Sequence, residues 1–142
     1  IDLAERASKL FDEVVIAIAA SPSKQPLFDV DERLEMAQIS LSHIDNISLV
    51  GFDGLLIECV RTAQAQVVIR GLRAVSDFEY EFQLAAMNRR LDPTVETMFL
   101  TPSENYTFLS ASMVKEIASL GGDVSQFLHP QINKRLADRL GR

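Results

Sequence analysis

Short apolar runs alternate with amphipathic segments along the whole chain. The run Val14–Ala19 contains no polar residue, which predicts a strand buried on both faces. Shorter apolar runs predict three more strands, at about residues 47–50, 67–69 and 97–100. The apolar pattern therefore predicts a sheet of buried strands.

The amphipathic segments between these runs predict helices. One of them begins after Asp29, whose spacing to Glu32 is that of a capping box, and it is expected to bury Leu34, Ala37 and Leu41. The other predicted helices span about residues 2–10, 55–63, 77–91, 111–120 and 130–140. Strands that alternate with helices imply βαβ crossovers, so we predict an α/β fold with a parallel sheet covered by helices on both faces.

The composition is that of an ordinary globular protein. The chain has 142 residues, of which 47% are hydrophobic and 24% charged. Without repeats, low-complexity tracts or linkers, it is expected to form a single domain over residues 1–142. No apolar run approaches the roughly 20 residues of a membrane span, so no membrane association is expected. The single Cys59 cannot form an internal disulfide and suits a reducing compartment, which favours a cytoplasmic location.

The net charge restricts the possible partners. A formal charge of −6 argues against nucleic-acid binding, which normally requires a basic face. A few arginines in one cleft can still reverse the local potential and bind a small anion. Small anionic ligands therefore remain compatible with this acidic chain.

The loops that follow the strands contain the candidate chemistry. In a parallel sheet, ligands bind at the carboxyl ends of the strands. The loops at 21–26, 70–77 and 101–112 would meet at that edge, bringing together Lys24, Arg70, Arg73 and several hydroxyl groups. Lys24 is either a mobile surface lysine or a clamp for a phosphate.

Arg70 follows Val-Val-Ile at the end of a predicted strand. A guanidinium that is partly desolvated there requires an anionic partner. Gly71 would let backbone N–H groups approach a ligand, and Arg73 adds a second planar donor suited to phosphate. The alternative is that Arg70 forms a structural salt bridge with Asp77 or Glu79.

The helix from Asp77 places Glu81, Leu84 and Asn88 on the same face. Glu81 could accept a hydrogen bond from a ribose or an amine, and Asn88 could bind an amide. Alternatively, Glu81 is solvated or orients an arginine. The helix that starts near Ser110 could bind an anion at its N-terminus, or the serine could only cap the helix.

Several kinds of site are not indicated by the sequence. It contains neither a P-loop nor the usual dinucleotide fingerprint. His43 and His129 lack metal-ligand spacing and are expected at the surface or in helix caps. Cys59 lies in an apolar helical pattern and is expected to be a small core residue. No residue is assigned to a metal.

Five segments together resemble the bacterial phosphopantetheine adenylyltransferases: residues 19–24, 68–73, 77–81, 84–88 and 108–116. They occur in the order and spacing of that family, and the similarity runs from Ile1 almost to the C-terminus. The resemblance implies a Rossmann-like nucleotidyltransferase of coenzyme A biosynthesis. Such an enzyme transfers the adenylyl group of ATP to 4′-phosphopantetheine with Mg²⁺, giving dephospho-coenzyme A and pyrophosphate.

The resemblance also implies roles for individual residues. Lys24 and Arg70 would be catalytic and bind the phosphate of phosphopantetheine, while Leu56 and Asn88 would lie beside its pantetheine arm. The ATP site would comprise Gly71, Leu72, Arg73, Glu81, Tyr106, Thr107, Phe108, Leu109, Ser110, Ala111 and Ser112. Ala111 stands where many members carry serine. A homohexamer and feedback by coenzyme A are further implications.

One departure from the family pattern concerns the start of the chain. Members carry a first, central strand, a Pro-Gly-Thr-Phe-Asp-Pro loop and a Thr-x-Gly-His motif before the position of Ile1. We expect the real protein to contain these residues upstream, and a chain without them to be nearly inactive. Two rival functions remain open: a related enzyme that uses nicotinate mononucleotide, and a catalytically dead nucleotide-binding module.

Overall fold

The computed structural model describes the backbone of residues 1–142 and every side chain except those of Val75 and Ser76. The helices are α1 (Asp2–Leu10), α2 (Val30–Leu41), α3 (Leu56–Thr62), α4 (Val75–Leu91), α5 (Ala111–Ser119) and α6 (Pro130–Arg139). The strands are β1 (Val14–Ala19), β2 (Ile47–Phe52), β3 (Val67–Gly71) and β4 (Glu96–Leu100). The predicted elements are confirmed. The three 3₁₀ turns at Pro22–Lys24, Glu104–Tyr106 and Ser125–Phe127 were not predicted from the sequence.

The strands form two parallel pairs. β1 pairs with β2, with Val14 opposite Ile47, and β3 pairs with β4, with Val67 opposite Glu96. Within the described chain no hydrogen bonds join one pair to the other, so the strands do not form one continuous sheet. The predicted α/β fold, with parallel strands flanked by helices, is confirmed. The further central strand expected before Ile1 stays a prediction.

The two faces of β3 are covered by different helices. Val68 packs in the core cluster with Ile57 and Val60 of α3. Side chains alternate along a strand, so Gly71 lies on the opposite face from Val68. There, a Cβ atom on Gly71 would come within 2.6 Å of Cδ1 of Leu3 in α1. Helices α3 and α1 therefore contact opposite faces of this strand.

β1 differs from its prediction of burial on both faces. Its residues alternate in exposure, and Val15 is 38% exposed. Helix α2 covers one face of the β1–β2 pair, where a Cβ atom on Gly51 would lie 3.1 Å from Cγ2 of Val30. The other face opens onto a cavity of about 500 Å³, lined in part by Val15, Val50 and Cys59. Cys59 is accordingly half-buried and is not a full core residue.

Helix α2 begins with the predicted capping box. The Asp29 carboxylate accepts from the Glu32 N–H at 2.8 Å, and the Glu32 carboxylate accepts from the Asp29 N–H at 2.9 Å. Both carboxylates thereby satisfy N–H groups that the helix leaves unpaired. Of the three residues expected to be buried, Leu41 is buried, whereas Leu34 and Ala37 are half-buried.

Both histidines behave as expected. Nδ1 of His129 accepts from the Gln131 N–H at 3.3 Å and caps α6. On the surface, Nε2 of His43 lies 2.8 Å from Oε1 of Glu5. Neither contact suggests a metal or catalytic role.

The chain divides into two compact units, residues 1–107 and residues 108–142. The first contains all four strands and α1 to α4. In the second, which contains α5 and α6, the Phe108 and Phe127 rings meet edge to face, and Ala118, Val124 and Leu136 are buried. The expectation of a single folding domain stays a prediction. No described helix is both long and apolar enough to cross a membrane.

Candidate functional site

Glu81 of α4 holds Arg70 at the carboxyl end of β3. Nε and Nη2 of Arg70 donate to the two carboxylate oxygens of Glu81 over 2.9 and 2.7 Å. The Glu81 side chain is 11% exposed, whereas that of Arg70 is 40% exposed. This bidentate geometry fixes the plane of the guanidinium, and the buried carboxylate leaves part of it open to solvent.

The pairing decides between the alternatives for Arg70. Its partner is Glu81, and the predicted alternatives Asp77 and Glu79 do not form the bridge. Asp77 instead pairs with Arg73, with 3.3 Å between Nε and Oδ2. The hydrogen bond that Arg70 donates to the Glu81 carboxylate raises the pKa of Arg70 above its ordinary value, although burial acts in the opposite direction. Arg70 is therefore a permanently charged group in a fixed orientation.

The guanidinium retains donors for a ligand. An arginine has five N–H groups, and Glu81 takes two of them, which leaves three. These remaining donors have no hydrogen-bond partner in the described part of the chain. Three oriented donors on a permanent cation can bind the oxygens of a phosphate.

Helix α4 buries polar residues and exposes apolar ones. Among its described residues, Glu81 and Asn88, two turns apart, are buried. Large apolar side chains are exposed instead, including Phe78 and Phe82, whose rings stack with centroids 5.7 Å apart. This is the reverse of an ordinary amphipathic helix, in which the apolar stripe faces the core. The predicted Glu81–Asn88 face does point inward, and Glu81 orients an arginine there.

Asn88 is a buried amide without a described partner. Its side chain forms no hydrogen bond to any described residue, yet no buried polar atom in this part of the chain is sealed off from both solvent and a partner. The amide is thus accessible from outside. It can donate to and accept from a polar ligand.

Gly71 and Leu72 extend the pairing of β3 with β4. The Leu72 N–H donates to the Leu100 carbonyl at 2.9 Å. Close approach of a ligand at Gly71 stays a prediction, and the structure shows a further reason for a glycine there, because Leu3 occupies the space that a Cβ atom would need. Arg73 follows at the surface.

Lys24 ends the 3₁₀ turn that follows β1. Ser21 and Gln25, on either side of the turn, have left-handed φ values of 46° and 43°, which non-glycine residues rarely adopt. The Lys24 side chain is exposed and forms no hydrogen bond or ion pair with the described residues. Because β1 and β3 belong to different pairs, no strand pairing brings Lys24 to Arg70.

Leu56 is the first residue of α3. It is half-buried and packs against the core cluster of the first unit. Its described contacts therefore account for packing, and its position beside a ligand stays a prediction.

The loop after β4 contains Tyr106 and Thr107. Tyr106 ends a 3₁₀ turn and is exposed, while Oγ1 of Thr107 donates to the Glu104 carbonyl at 2.9 Å. The start of this loop contacts α1 through Asp2 and Arg6. Sequence reasoning missed these two residues. Their i,i+4 spacing is that of a helical ion pair, and no local pattern indicates a contact about a hundred residues away.

In the second unit, Ser110 caps α5. Its Oγ accepts from the Met113 N–H at 3.1 Å, as expected of a serine N-cap. The N–H groups of Ala111 and Ser112 lie in the first turn and have no partner among the described residues. Phe108 is exposed and Leu109 half-buried. An anion could bind at this turn, although the serine side chain is already used.

No metal site is evident in the described structure. Among the described residues, no three His, Cys, Asp or Glu side chains lie close enough together to hold an ion. The Mg²⁺ that the resemblance implies stays a prediction.

The comparison with known proteins gives one family. A sequence model described as cytidylyltransferase-like matches residues 1–117 of the 142. The match includes β3, the Arg70–Arg73 loop, α4 and the start of α5.

Proposed function

Because the chain belongs to the cytidylyltransferase-like family and is thereby a nucleotidyltransferase, we propose that it is a phosphopantetheine adenylyltransferase. It would transfer the adenylyl group of ATP to 4′-phosphopantetheine, giving dephospho-coenzyme A and pyrophosphate in coenzyme A biosynthesis. The family supports a nucleoside triphosphate as one substrate and a Rossmann-like fold. The choice of phosphopantetheine rests on the resemblance of five sequence segments.

The observation that carries the proposal is the Arg70–Glu81 pair. It holds a charged guanidinium at the carboxyl end of β3, with three N–H donors available to a phosphate. Binding sites of parallel α/β folds lie at this edge. In the proposed reaction Arg70 binds the phosphate of phosphopantetheine, and Glu81, which is assigned to the ATP site, orients Arg70.

The chemistry requires positioning more than covalent catalysis. The attacking phosphate oxygen of phosphopantetheine forms a bond to the α-phosphorus of ATP while the bond to pyrophosphate breaks. The phosphate is already a nucleophile, so the protein must align two polyanions and neutralise their charge. Lys24 and Arg70 are assigned to that work. Lys24, which has no described partner, is free to bind phosphate when substrate arrives.

ATP is assigned to the loops after β3 and β4 and to the start of α5. In the first unit, Gly71, Leu72 and Arg73 would line its site, with Tyr106 and Thr107 covering the nucleotide. For the second unit taken by itself, the resemblance assigns Phe108 and Leu109 to the nucleotide. The unpaired N–H groups of Ala111 and Ser112, next to the Ser110 cap, would receive phosphate oxygens.

The pantetheine arm is assigned to Asn88 and Leu56. The arm contains two amides, and the accessible Asn88 side chain offers both a donor and an acceptor. Leu56 offers an apolar surface at the start of α3. Mg²⁺ carried by the phosphates of ATP would supply charge neutralisation there.

The remaining proposals follow the resemblance. We propose that the protein is a cytoplasmic homohexamer that coenzyme A inhibits, and that it binds neither nucleic acid nor membrane. The exposed aromatic side chains of α4 support self-association, because a monomer seldom leaves such a group uncovered.

A pyrophosphate-release assay tests the reaction on a chain that includes the residues expected before Ile1. With ATP present, we expect turnover with 4′-phosphopantetheine and none with pantetheine, which lacks the attacking phosphate. Nicotinate mononucleotide serves as the rival acceptor. Faster turnover with nicotinate mononucleotide would show that this compound, and not 4′-phosphopantetheine, is the substrate. No turnover with either acceptor would favour the rival function of a catalytically dead nucleotide-binding module.

A further inference from the structure

The first two turns of α1 contact the loop that follows β4. Nη1 of Arg6 donates to the backbone carbonyl of Thr101, and Oδ2 of Asp2 accepts from the Ser103 N–H at 3.3 Å. Asp2 and Arg6 also pair with each other over 3.4 Å. One ion pair on α1 therefore binds both a carbonyl and an N–H of the same short stretch of backbone.

The same part of α1 contacts the end of β3. Leu3 lies over Gly71, so closely that a Cβ atom there would be 2.6 Å from its Cδ1. The ends of β3 and β4 are neighbours in the strand pair, with Gly71 opposite Leu100. Residues 2–6 thus contact the starts of both loops assigned to the nucleotide.

These contacts occur where the strand ladder stops. The β3–β4 pairing ends with the Leu72 N–H bound to the Leu100 carbonyl, so the next backbone groups of the β4 loop must find other partners. Arg6 is the partner of the Thr101 carbonyl, and Asp2 is the partner of the Ser103 N–H. Both side chains are charged, and hydrogen bonds to charged groups are stronger than those between neutral groups. Beyond Ser103 the chain turns into the 3₁₀ segment that ends at Tyr106.

We propose that Asp2 and Arg6 are positioning residues, which hold the backbone of residues 101–103 so that Tyr106 and Thr107 are presented to the bound nucleotide. The inference rests on the proposed function for the identity of the ligand. The placement of the loop itself depends only on the contacts of α1. Neither side chain is assigned a contact with substrate.

Steady-state kinetics on the full chain test the effect on the nucleotide. For Arg6→Ala we expect the KM for ATP to rise about tenfold or more, with a smaller change in kcat. The loop after β4 is less ordered in this variant, so part of the binding free energy of ATP must be used to order it. Arg6→Lys keeps a charged donor and should recover most of the affinity. Arg89→Ala is the matched control, since Arg89 pairs with Glu96 at the exposed surface and should change neither constant.

Amide hydrogen exchange tests the placement without any assay of activity. The Ser103 N–H should exchange at least about tenfold faster in Asp2→Ala than in the native chain, whereas Asp2→Asn keeps an acceptor and should retain part of the protection. If the native protein shows no nucleotidyl transfer, the proposed function fails while this measurement still decides the placement. Unchanged exchange at Ser103 in Asp2→Ala, or equal KM values for Arg6→Ala and Arg89→Ala, would overturn the inference.

Discussion

The Glu81 carboxylate binds the edge of the Arg70 guanidinium by accepting two hydrogen bonds, of 2.9 Å from Nε and 2.7 Å from Nη2. The Glu81 side chain is the buried partner, and the Arg70 side chain is the accessible one. This arrangement makes Glu81 a support for Arg70 and leaves the outer donors of Arg70 for a phosphate. The function of the β3 loop should therefore depend on a residue in the following helix.

The dependence of Arg70 on Glu81 can be measured by substitution. Glu81→Gln removes the charge and one of the two acceptors, so the guanidinium loses its fixed plane. We expect kcat/KM for 4′-phosphopantetheine to fall by about ten- to a hundredfold. Glu79→Gln makes the same chemical change at an exposed position two residues away and serves as the control. Equal rates for the two variants would mean that the pair is only structural.

Direct removal of the phosphate-binding cations should be more damaging. We expect Arg70→Ala and Lys24→Ala each to lower turnover at least about a hundredfold, the usual effect of losing one donor aimed at developing charge. For Lys24→Ala, circular dichroism should show an intact fold, since Lys24 is exposed and has no described partner. Near-normal rates for both variants would contradict the proposed function. Arg70→Lys, which keeps the charge without the bidentate geometry, should be intermediate.

The contact of Gly71 with Leu3 predicts a coupled effect on stability. Gly71→Ala should lower the free energy of unfolding by about 1 kcal/mol, because the new methyl group meets Cδ1 of Leu3. Leu3→Ala removes that atom. A double-mutant cycle measured by urea denaturation should therefore show that Gly71→Ala is less destabilising in the Leu3→Ala background. Additive effects would show that the two residues do not meet.

Asp92 predicts a dependence on acid pH. The Thr94 hydroxyl and Nε of Arg61 both donate to the Asp92 carboxylate, and the hydroxyl has the larger effect. Together they lower the pKa of Asp92 to about 2 from an ordinary 3.8. Since the folded pKa is the lower one, the contribution to stability is present above about pH 4 and is lost as the pH falls through 2. A ¹³C titration of the carboxyl group should give a pKa near 2, and a higher one in Thr94→Val.

The matching stability measurement uses Asp92→Asn. This variant cannot ionise at position 92, so its free energy of unfolding should fall less steeply than that of the native chain between pH 4 and pH 2. Parallel curves for the two proteins would contradict the assigned cause.

The exposed aromatic pair of α4 predicts which substitution should disrupt the proposed hexamer. Phe82 is 59% exposed in the single chain and stacks on Phe78. If these rings lie in the interface of the proposed hexamer, Phe82→Glu should reduce the mass measured by light scattering, because a buried charge opposes association. Leu10→Glu, at an exposed apolar position on α1, is the control. A hexamer that survives Phe82→Glu would place the interface elsewhere.

Much of the fold could be read from the sequence because its signals are local. A period of two or of 3.6 residues, a capping acid three residues before its partner and a serine at a helix start all act within a few positions. The bounds of β1 and α1, the Asp29–Glu32 capping box and the Ser110 cap were predictable for this reason. The residues of the β3 loop could also be singled out by their chemistry.

Contacts between distant residues could not be predicted in the same way. Arg70 had several acids within reach along the sequence, and only the placement of α4 over β3 selected Glu81, eleven positions away. The half-open face of β1 and the packing of Leu3 on Gly71 likewise depend on which helix covers which face. The sequence by itself determined the α-helices, the strands and the charged loop at the end of β3. The tertiary structure alone decided which partners orient that loop, because a partner is chosen by distance in space and not by separation along the chain.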